Sequence, residues 1–253
     1  MTLDGKVALV TGASGGIGRA VCRRLARDGA RIVAHYNSRG EAAEALVAEL
    51  DGGGHSTVGA DLRDPAAVEA MVAAAVDRTG RLDVLVNNAG IYAHHPPLEV
   101  SYEAWQEHWQ RTLETNLLGP AWAAWCAARA MVRQGEGGCI VNVGSRGAFR
   151  GEPDAPAYGA SKAGLHAMSQ SLAVALAPHR IAVFAVAPGF VETAMARPYM
   201  TGELGEAIRR QSPLGRVATA DDVAYWVACL AAPDAVFATG AIVDVNGASY
   251  LRT

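Results

Sequence analysis

The sequence predicts a doubly wound α/β fold, in which one seven-stranded parallel sheet carries helices on both faces. Three observations lead there. Short β-branched runs alternate with longer Ala-rich amphipathic segments along the chain. Most of the short runs are apolar without strict alternation, as in strands buried on both faces of a parallel sheet. Strand, helix, strand, repeated, implies right-handed crossovers and helices above and below the sheet.

The elements follow in order. KVALVT (6–11) is the first strand, and it runs through a glycine-rich turn into a helix near 16–28. RIVAHY (31–36) is the second strand, with a helix near 40–50 after it. DGGGH (51–55) leads into the third strand, STVGAD (56–61), and opens no helix, so it is not a phosphate cradle. A helix near 65–79 and the strand LDVLVN (82–87) come next, then a long helical stretch over 101–133. CIVNVG (139–144), a helix near 156–177, IAVFAVA (181–187), a helix near 219–232 and AIVDV (241–245) complete the series. Residues 190–217 break the alternation and contain Pro198, Gly202, Gly205 and Pro213. An irregular insertion after a strand end is where a substrate lid would sit. With no linker or repeat, residues 1–253 read as a single domain.

Composition narrows the function. Hydrophobic residues make up 51% and charged residues 19%, enough for a large core and far from disorder. The net charge is −3 and no basic run points to nucleic acid or an anionic membrane. The four cysteines, Cys22, Cys126, Cys139 and Cys229, form no Cys-x-x-Cys and read as reduced thiols of a cytoplasmic protein, with Cys22 in packing. The opening residues run directly into a strand, so no signal peptide is expected. Apolar stretches such as VAYWVACLAAP are too short to span a bilayer.

VALVTGASGGIGRAV has the form strand, glycine turn, helix. Gly12, Gly15, Gly16 and Gly18 allow close backbone approach and leave helix N–H groups free for an anion. The pattern G-x-G-x-x-G is absent, and a P-loop would need Gly-Lys-Ser/Thr where Ile17-Gly18-Arg19 stands. GASGG matches the G-x-S-x-G elbow of serine hydrolases. Against that, Ser14 follows the first strand and no histidine lies beyond His179 to complete a triad in the usual order.

What remains is T-G-x-x-x-G-x-G at Thr11, Gly12, Gly16 and Gly18. It is joined by NNAG at 87–90, Asn116, Ser145, Tyr158 and Lys162 as Y-x-x-x-K, Pro188-Gly189 and Thr193. PLGRVATADDVA and TGAIVDVNGA near the C-terminus continue the agreement. The sequence resembles the short-chain dehydrogenase/reductase family over nearly its whole length, nearest in pattern to 3-oxoacyl-acyl-carrier-protein reductases. Gly15 also fits the T-G-x-x-G-x-x-G of extended relatives, but strands, lid and helix use up the residues after Lys162, leaving no separate substrate domain.

The resemblance implies a single-domain Rossmann fold and a nicotinamide-dependent oxidoreductase that moves a hydride between the cofactor and a carbonyl or secondary alcohol. It assigns Tyr158 as general acid/base, and Lys162 as the group that lowers its pKa and holds the ribose. Ser145 would position the substrate oxygen, and Asn116 would hold a water leading from Lys162 to solvent. Gly12, Ser14, Gly16, Ile17 and Gly18 would meet the pyrophosphate side, and Asp61 and Leu62 the adenine. Asn88, Ala89 and Gly90 would line the adenosine side. Pro188, Gly189, Val191 and Thr193 would meet the nicotinamide.

The residues themselves support part of this chemistry. Moving a phenol from a pKa near ~10 to about 7 takes roughly 4 kcal/mol of preference for the anion. Spacing i to i+4 brings Lys162 to about 6 Å from Tyr158, worth about 3 kcal/mol at an effective dielectric of ~20. Asp154 is expected to cap the helix and Pro156 to start it, so its dipole adds to the same effect at Tyr158. Gly159 would serve a close approach.

An acidic residue at the end of the second strand would bind a ribose 2′-hydroxyl and repel a 2′-phosphate. Tyr36 stands there, followed by Asn37, Ser38 and Arg39, which can donate to phosphate. NADP(H) is therefore favoured, with NAD(H) left open.

His94-His95 is too little for zinc and reads as loop. Trp105, Trp109, Trp122 and Trp125 are core or subunit contacts. By resemblance a homotetramer or homodimer is expected. Phe184 replaces a structural asparagine common in the family. Phe149, Met195, Tyr199 and Met200, with Arg146, Arg150, Glu152 and Arg197, should shape a pocket for a small carbonyl or alcohol, and the arginines could meet an acyl carrier. A second hypothesis is a cofactor-binding sensor or scaffold without catalysis.

Overall fold

A computed structural model describes residues 2–252. Among them seven strands form one wholly parallel sheet in the order β3-β2-β1-β4-β5-β6-β7. The strands are β1 (Val7–Val10), β2 (Arg31–Tyr36), β3 (Ser56–Gly59), β4 (Val84–Asn87), β5 (Gly138–Val143), β6 (Ile181–Pro188) and β7 (Ile242–Val245). The helices are α1 (Gly16–Arg27), α2 (Gly40–Ala48), α3 (Pro65–Thr79), α4 (Tyr102–Leu113), α5 (Gly119–Gln134), α6 (Gly147–Arg150), α7 (Pro156–Leu176), α8 (Gly202–Arg210) and α9 (Ala220–Ala231). This is the doubly wound Rossmann arrangement. The strand order reverses between β1 and β4, which opens a crevice at their C-terminal ends.

The apolar runs bury both sheet faces. On one, Cys22, Leu25, Leu46, Phe184 and Val227 bring α1, α2 and α9 onto the strands. On the other, Met71, Ala127, Met131 and Ala173 do the same for α3, α5 and α7. Phe184 is fully enclosed, so this core is filled by an aromatic ring in the middle of β6. All four cysteines are free thiols, and burial pushes Cys139 up to about 12.

Local signals set the helix ends. Asp64 accepts from the Ala66 N–H at 2.9 Å with Pro65 at the first helical position, and α3 ends on left-handed Gly80. Thr219 and Asp222 form a reciprocal capping box on α9. Two regions differ from expectation. The helical stretch over 101–133 is interrupted by a π turn, Glu114–Leu118, which carries Asn116. The segment 190–217 is more regular than its glycines and prolines imply. It contains α8, with Ile208 buried and Gly205 packed against the Met200 backbone. No helix among the described residues is long and apolar enough to cross a membrane.

Candidate active site

The glycine turn lies at the C-terminal edge of β1. Gly15 is the N-cap of α1 and brings no side-chain acceptor, so the first-turn amides are left to an external anion. Gly12 has φ +63°, and a Cβ there would stand 2.9 Å from the Cα of Ala89. A Cβ on Gly16 would lie 2.7 Å from Cγ2 of Thr193, so Thr193 reaches across the turn. A Cβ on Gly18 would strike the Gly12 carbonyl, which is why helix and turn can approach so closely. Ser14 and Ile17 are half-buried in the same turn. This cradle fits a dinucleotide pyrophosphate.

Neighbouring strands hold the turn in place. The Asn88 and Ala89 amides donate to Oγ1 of Thr11 at 3.0 and 3.1 Å, and Nδ2 of Asn88 donates to the Thr11 carbonyl at 2.9 Å. The Gly12 amide donates to Nδ1 of buried His35 at 3.1 Å, and His35 Nε2 meets the Ala60 carbonyl at 3.0 Å. The carbonyl only accepts, so Nε2 carries the proton. Burial lowers the pKa of His35 and maintains that neutral form. Sequence reading passed over His35; its signal was a lone polar residue inside the apolar strand RIVAHY.

At the end of β2, the Tyr36 ring packs over Gly40 and Gly59, whose added Cβ atoms would meet it at 3.2 and 3.1 Å. Asn37, Ser38 and Arg39 follow, exposed at the start of α2. Asp61 is forked by Arg63 at 2.6 Å, which holds its carboxyl below the usual range. Leu62 is buried beside it.

Ser145 follows β5, and its Oγ accepts from the Gly147 amide at 3.0 Å. The Ser145 hydroxyl also favours the anionic form of the Tyr158 phenol. One turn along α7, Lys162 is buried, with Nζ 5.8 Å from the Tyr158 ring centre, and donates to the Val143 carbonyl at 2.8 Å. Burial brings its pKa down to about 8. Gly90 lies between Lys162 and Asn116: an added Cβ would sit 3.4 Å from the lysine Nζ and 3.3 Å from Asn116 Oδ1. Asn116 accepts from the Ile91 amide at 2.8 Å and donates to the Ile91 carbonyl at 2.9 Å and to Ser161 Oγ at 3.2 Å. Pro188 and Gly189 tie β6 to Arg146 and Val245, and Val191 bridges to Ala218.

Three expectations change here. In the protein alone the Tyr158 phenol is held above its ordinary pKa, not below it. Burial outweighs the opposing influence of Ser145, and the Glu152 charge adds to the rise. Asp154 does not cap α7: the N-cap is Ala155, without a side-chain acceptor, and the Ala157 amide is taken by His95 Nε2 at 3.3 Å. Gly159 serves no close approach, because a Cβ there would find its nearest neighbours at 3.4 and 3.7 Å, ordinary contact distances.

A profile of the short chain dehydrogenase family matches residues 6–204. The chain belongs to the short-chain dehydrogenases. Its relatives include an L-rhamnose 1-dehydrogenase (NAD(P)(+)) of Azotobacter vinelandii, 40% identical over 258 residues, with 100% of this chain and 99% of that protein covered. The 3-oxoacyl-acyl-carrier-protein reductase of Escherichia coli is 36% identical over 251 residues, covering 99% and 100%. The crystal structure of a dehydrogenase/reductase from Sinorhizobium meliloti 1021 superposes with a TM-score of 0.89 at 36% identity, covering 99% and 97%. The chain is thus an oxidoreductase of the NAD(P)-dependent kind.

In this short-chain dehydrogenase the expected pocket residues divide. Tyr92, which sequence reading did not single out, packs edge-on to Tyr158 at 5.1 Å and to Tyr199 of the 190–217 segment at 6.1 Å. Met195 and Arg197 are exposed and Met200 is half-buried on that segment, and Glu152 is half-buried with its pKa raised by burial. Phe149 instead stacks on His166 at 4.9 Å beneath Arg252, outside this aromatic group. Arg146 is buried, donating to Ser249 at 2.7 Å, and Arg150 donates to Gln211 at 2.7 Å. Of the two, Arg150 keeps its charge exposed at the surface. Trp122 packs against the core, Trp105 and Trp109 are half-buried, and Trp125 is exposed. Near the elbow-like turn, His35 has both ring nitrogens engaged, so it is not a base for Ser14.

Proposed function

We propose that the chain is an NADPH-dependent reductase, reversible as an alcohol dehydrogenase, with Tyr158 as its general acid/base. The convergence of Tyr158, Ser145 and Lys162 beside the glycine cradle supports this most strongly. A bound dinucleotide would supply the hydride and, once oxidised, a positive charge beside the phenol. Ser145 orients the substrate oxygen by hydrogen bonding, and Tyr158 donates the proton that this oxygen needs as negative charge builds on it. The raised pKa suits that direction, because the phenol stays protonated at neutral pH and ready to donate. Lys162 holds the ribose hydroxyls and resupplies the proton. Asn116 holds a relay water through the lone pair its carbonyl oxygen keeps beyond the Ile91 contact.

In this reading Gly12, Ser14, Gly16, Ile17 and Gly18 hold the pyrophosphate, while Asp61, Leu62, Asn88, Ala89 and Gly90 line the adenosine. Pro188, Gly189, Val191 and Thr193 meet the nicotinamide. Arg39, whose guanidinium has no hydrogen-bonded partner among the described residues, meets a 2′-phosphate with Asn37 and Ser38. Tyr36 removes the carboxylate that would repel it. Residues 190–217 form the lid of a single domain. Exposed Leu118, Trp125 and Val174 on the α5 and α7 side suit a homotetramer or homodimer of a cytoplasmic enzyme.

The substrate is a small carbonyl compound or secondary alcohol, such as a sugar or a 3-oxoacyl thioester. A screen of both classes with NADPH/NADP⁺ and NADH/NAD⁺ in parallel tests the reading. Cofactor turnover favouring the phosphorylated dinucleotide is expected. Binding of dinucleotide with no turnover across the panel would instead favour a sensor.

A further inference from the structure

The start of α7 is held by a residue from another loop. His95 lies in the segment that leaves β4, and its ring is wholly buried. It stacks on His108 at 5.0 Å with an interplanar angle of 21° and meets the edge of Trp105 at 5.5 Å, both from α4. Three hydrogen bonds tie it down. Its backbone N–H donates to the Asp154 carbonyl at 2.8 Å, Nδ1 pairs with the Ala93 carbonyl at 2.7 Å, and Nε2 pairs with the Ala157 N–H at 3.3 Å. A carbonyl only accepts, so Nδ1 carries the proton. An amide N–H only donates, so Nε2 offers its lone pair. The ring is neutral and its tautomer is determined.

We infer that His95 is a positioning residue: it caps α7 from outside the helix and so sets the direction in which Tyr158 presents its phenol. Helix starts leave amides without partners, and here the usual side-chain acceptor is missing because Ala155 is the N-cap. Pro156 has no N–H, so Ala157 is the first amide that needs a partner, and it immediately precedes Tyr158. The Tyr158 and Gly159 amides turn back to the Ala155 carbonyl at 3.0 and 3.3 Å, so the whole first turn rests on residues 154–157, the stretch His95 grips. The same loop carries Tyr92 against the Tyr158 ring and Ile91 against Asn116. One loop thus connects the catalytic helix to the π turn.

The catalytic part of this inference rests on the proposed function; the capping part does not, and the two are measured separately. His95→Asn keeps a short amide near Ala93 but does not reach Ala157, whereas His95→Gln reaches Ala157 with an acceptor oxygen. If the asparagine variant does not fold, His95→Phe keeps the stacking without an acceptor and takes its place. Amide hydrogen exchange on the substrate-free protein is expected to be about tenfold faster at Ala157 and Tyr158 in His95→Asn, with His95→Gln near wild type. In turnover, kcat is expected to fall about tenfold in His95→Asn with KM and the NADPH Kd unchanged, and to return to within about threefold in His95→Gln. Unchanged exchange in His95→Asn overturns the cap. Changed exchange with unchanged kcat overturns the positioning of Tyr158. Failure of glutamine to restore either quantity overturns the role of the Nε2 acceptor. An inactive wild type would refute the proposed function, while exchange would still decide the cap.

Discussion

Replacing His166 with leucine removes a titratable ring from beneath the end of β5. His166 lies one turn beyond Lys162 on α7, 3% exposed, with its ring against the Gly144 backbone and stacked on Phe149. Neither ring nitrogen has a hydrogen-bond partner among the described residues. Burial, then the charges of Lys162 and Arg252, bring its pKa from 6.5 to about 4. The sign follows from proton uptake. Between pH 6.5 and 4 the unfolded chain binds a proton there that the folded chain refuses, so stability falls as pH falls through that window and levels off below it. From pH 7 to pH 5 the loss from this group alone is about 2 kcal/mol. Urea denaturation of wild type and His166→Leu at both pH values measures it. The variant should lose about 2 kcal/mol less than wild type on acidification. At pH 7 it should be as stable or slightly more so, since two unsatisfied buried nitrogens are gone. His35 is also depressed by burial, but it is present in both proteins and cancels in the difference. An equal loss in the two proteins would refute this account of His166.

Other consequences concern cofactor choice and the start of α7. Arg39→Ala should raise the Kd for NADPH about tenfold, the low end for a charge-assisted hydrogen bond at an exposed site, and leave NADH within about twofold. Fluorescence titration with both cofactors reads the ratio. Gly159→Ala should raise stability by about 1 kcal/mol with activity retained, because the site has room and alanine is the better helix former. A fall in Tm would show that the glycine is needed. Asp154→Ala should change stability by less than about 0.5 kcal/mol in chemical denaturation, because the cap is elsewhere.

Local pattern made the sheet and most helices legible. VALV, CIVNV and IAVFAVA are buried on both faces wherever they sit, and Asp64-Pro65 or Thr219 with Asp222 signal a helix start from neighbouring residues alone. The glycine turn was legible for the same reason, because Gly12, Gly16 and Gly18 meet a steric demand within a few residues. What escaped was nonlocal or compensated. The π turn at 114–118 lies between two α-helices with no glycine or proline inside ETNLL to mark it. Helix α8 hides behind Gly202 and Gly205, the latter required by contact with Met200. Asp154 had the right residue type one position too early, while the acceptor came from His95, far away in sequence. The pKa of Tyr158 depends on burial, which spacing to Lys162 cannot report.

The central claim is that Tyr158 delivers the proton. Its most direct test is Tyr158→Phe, assayed for NADPH-dependent turnover of any carbonyl that wild type accepts, alongside NADPH binding and Tm. The phenylalanine ring keeps the packing against Tyr92 and removes only the hydroxyl. The account predicts NADPH affinity and Tm close to wild type, with kcat reduced by about 10²-fold or more. Wild-type kcat in a folded, NADPH-binding Tyr158→Phe would contradict it.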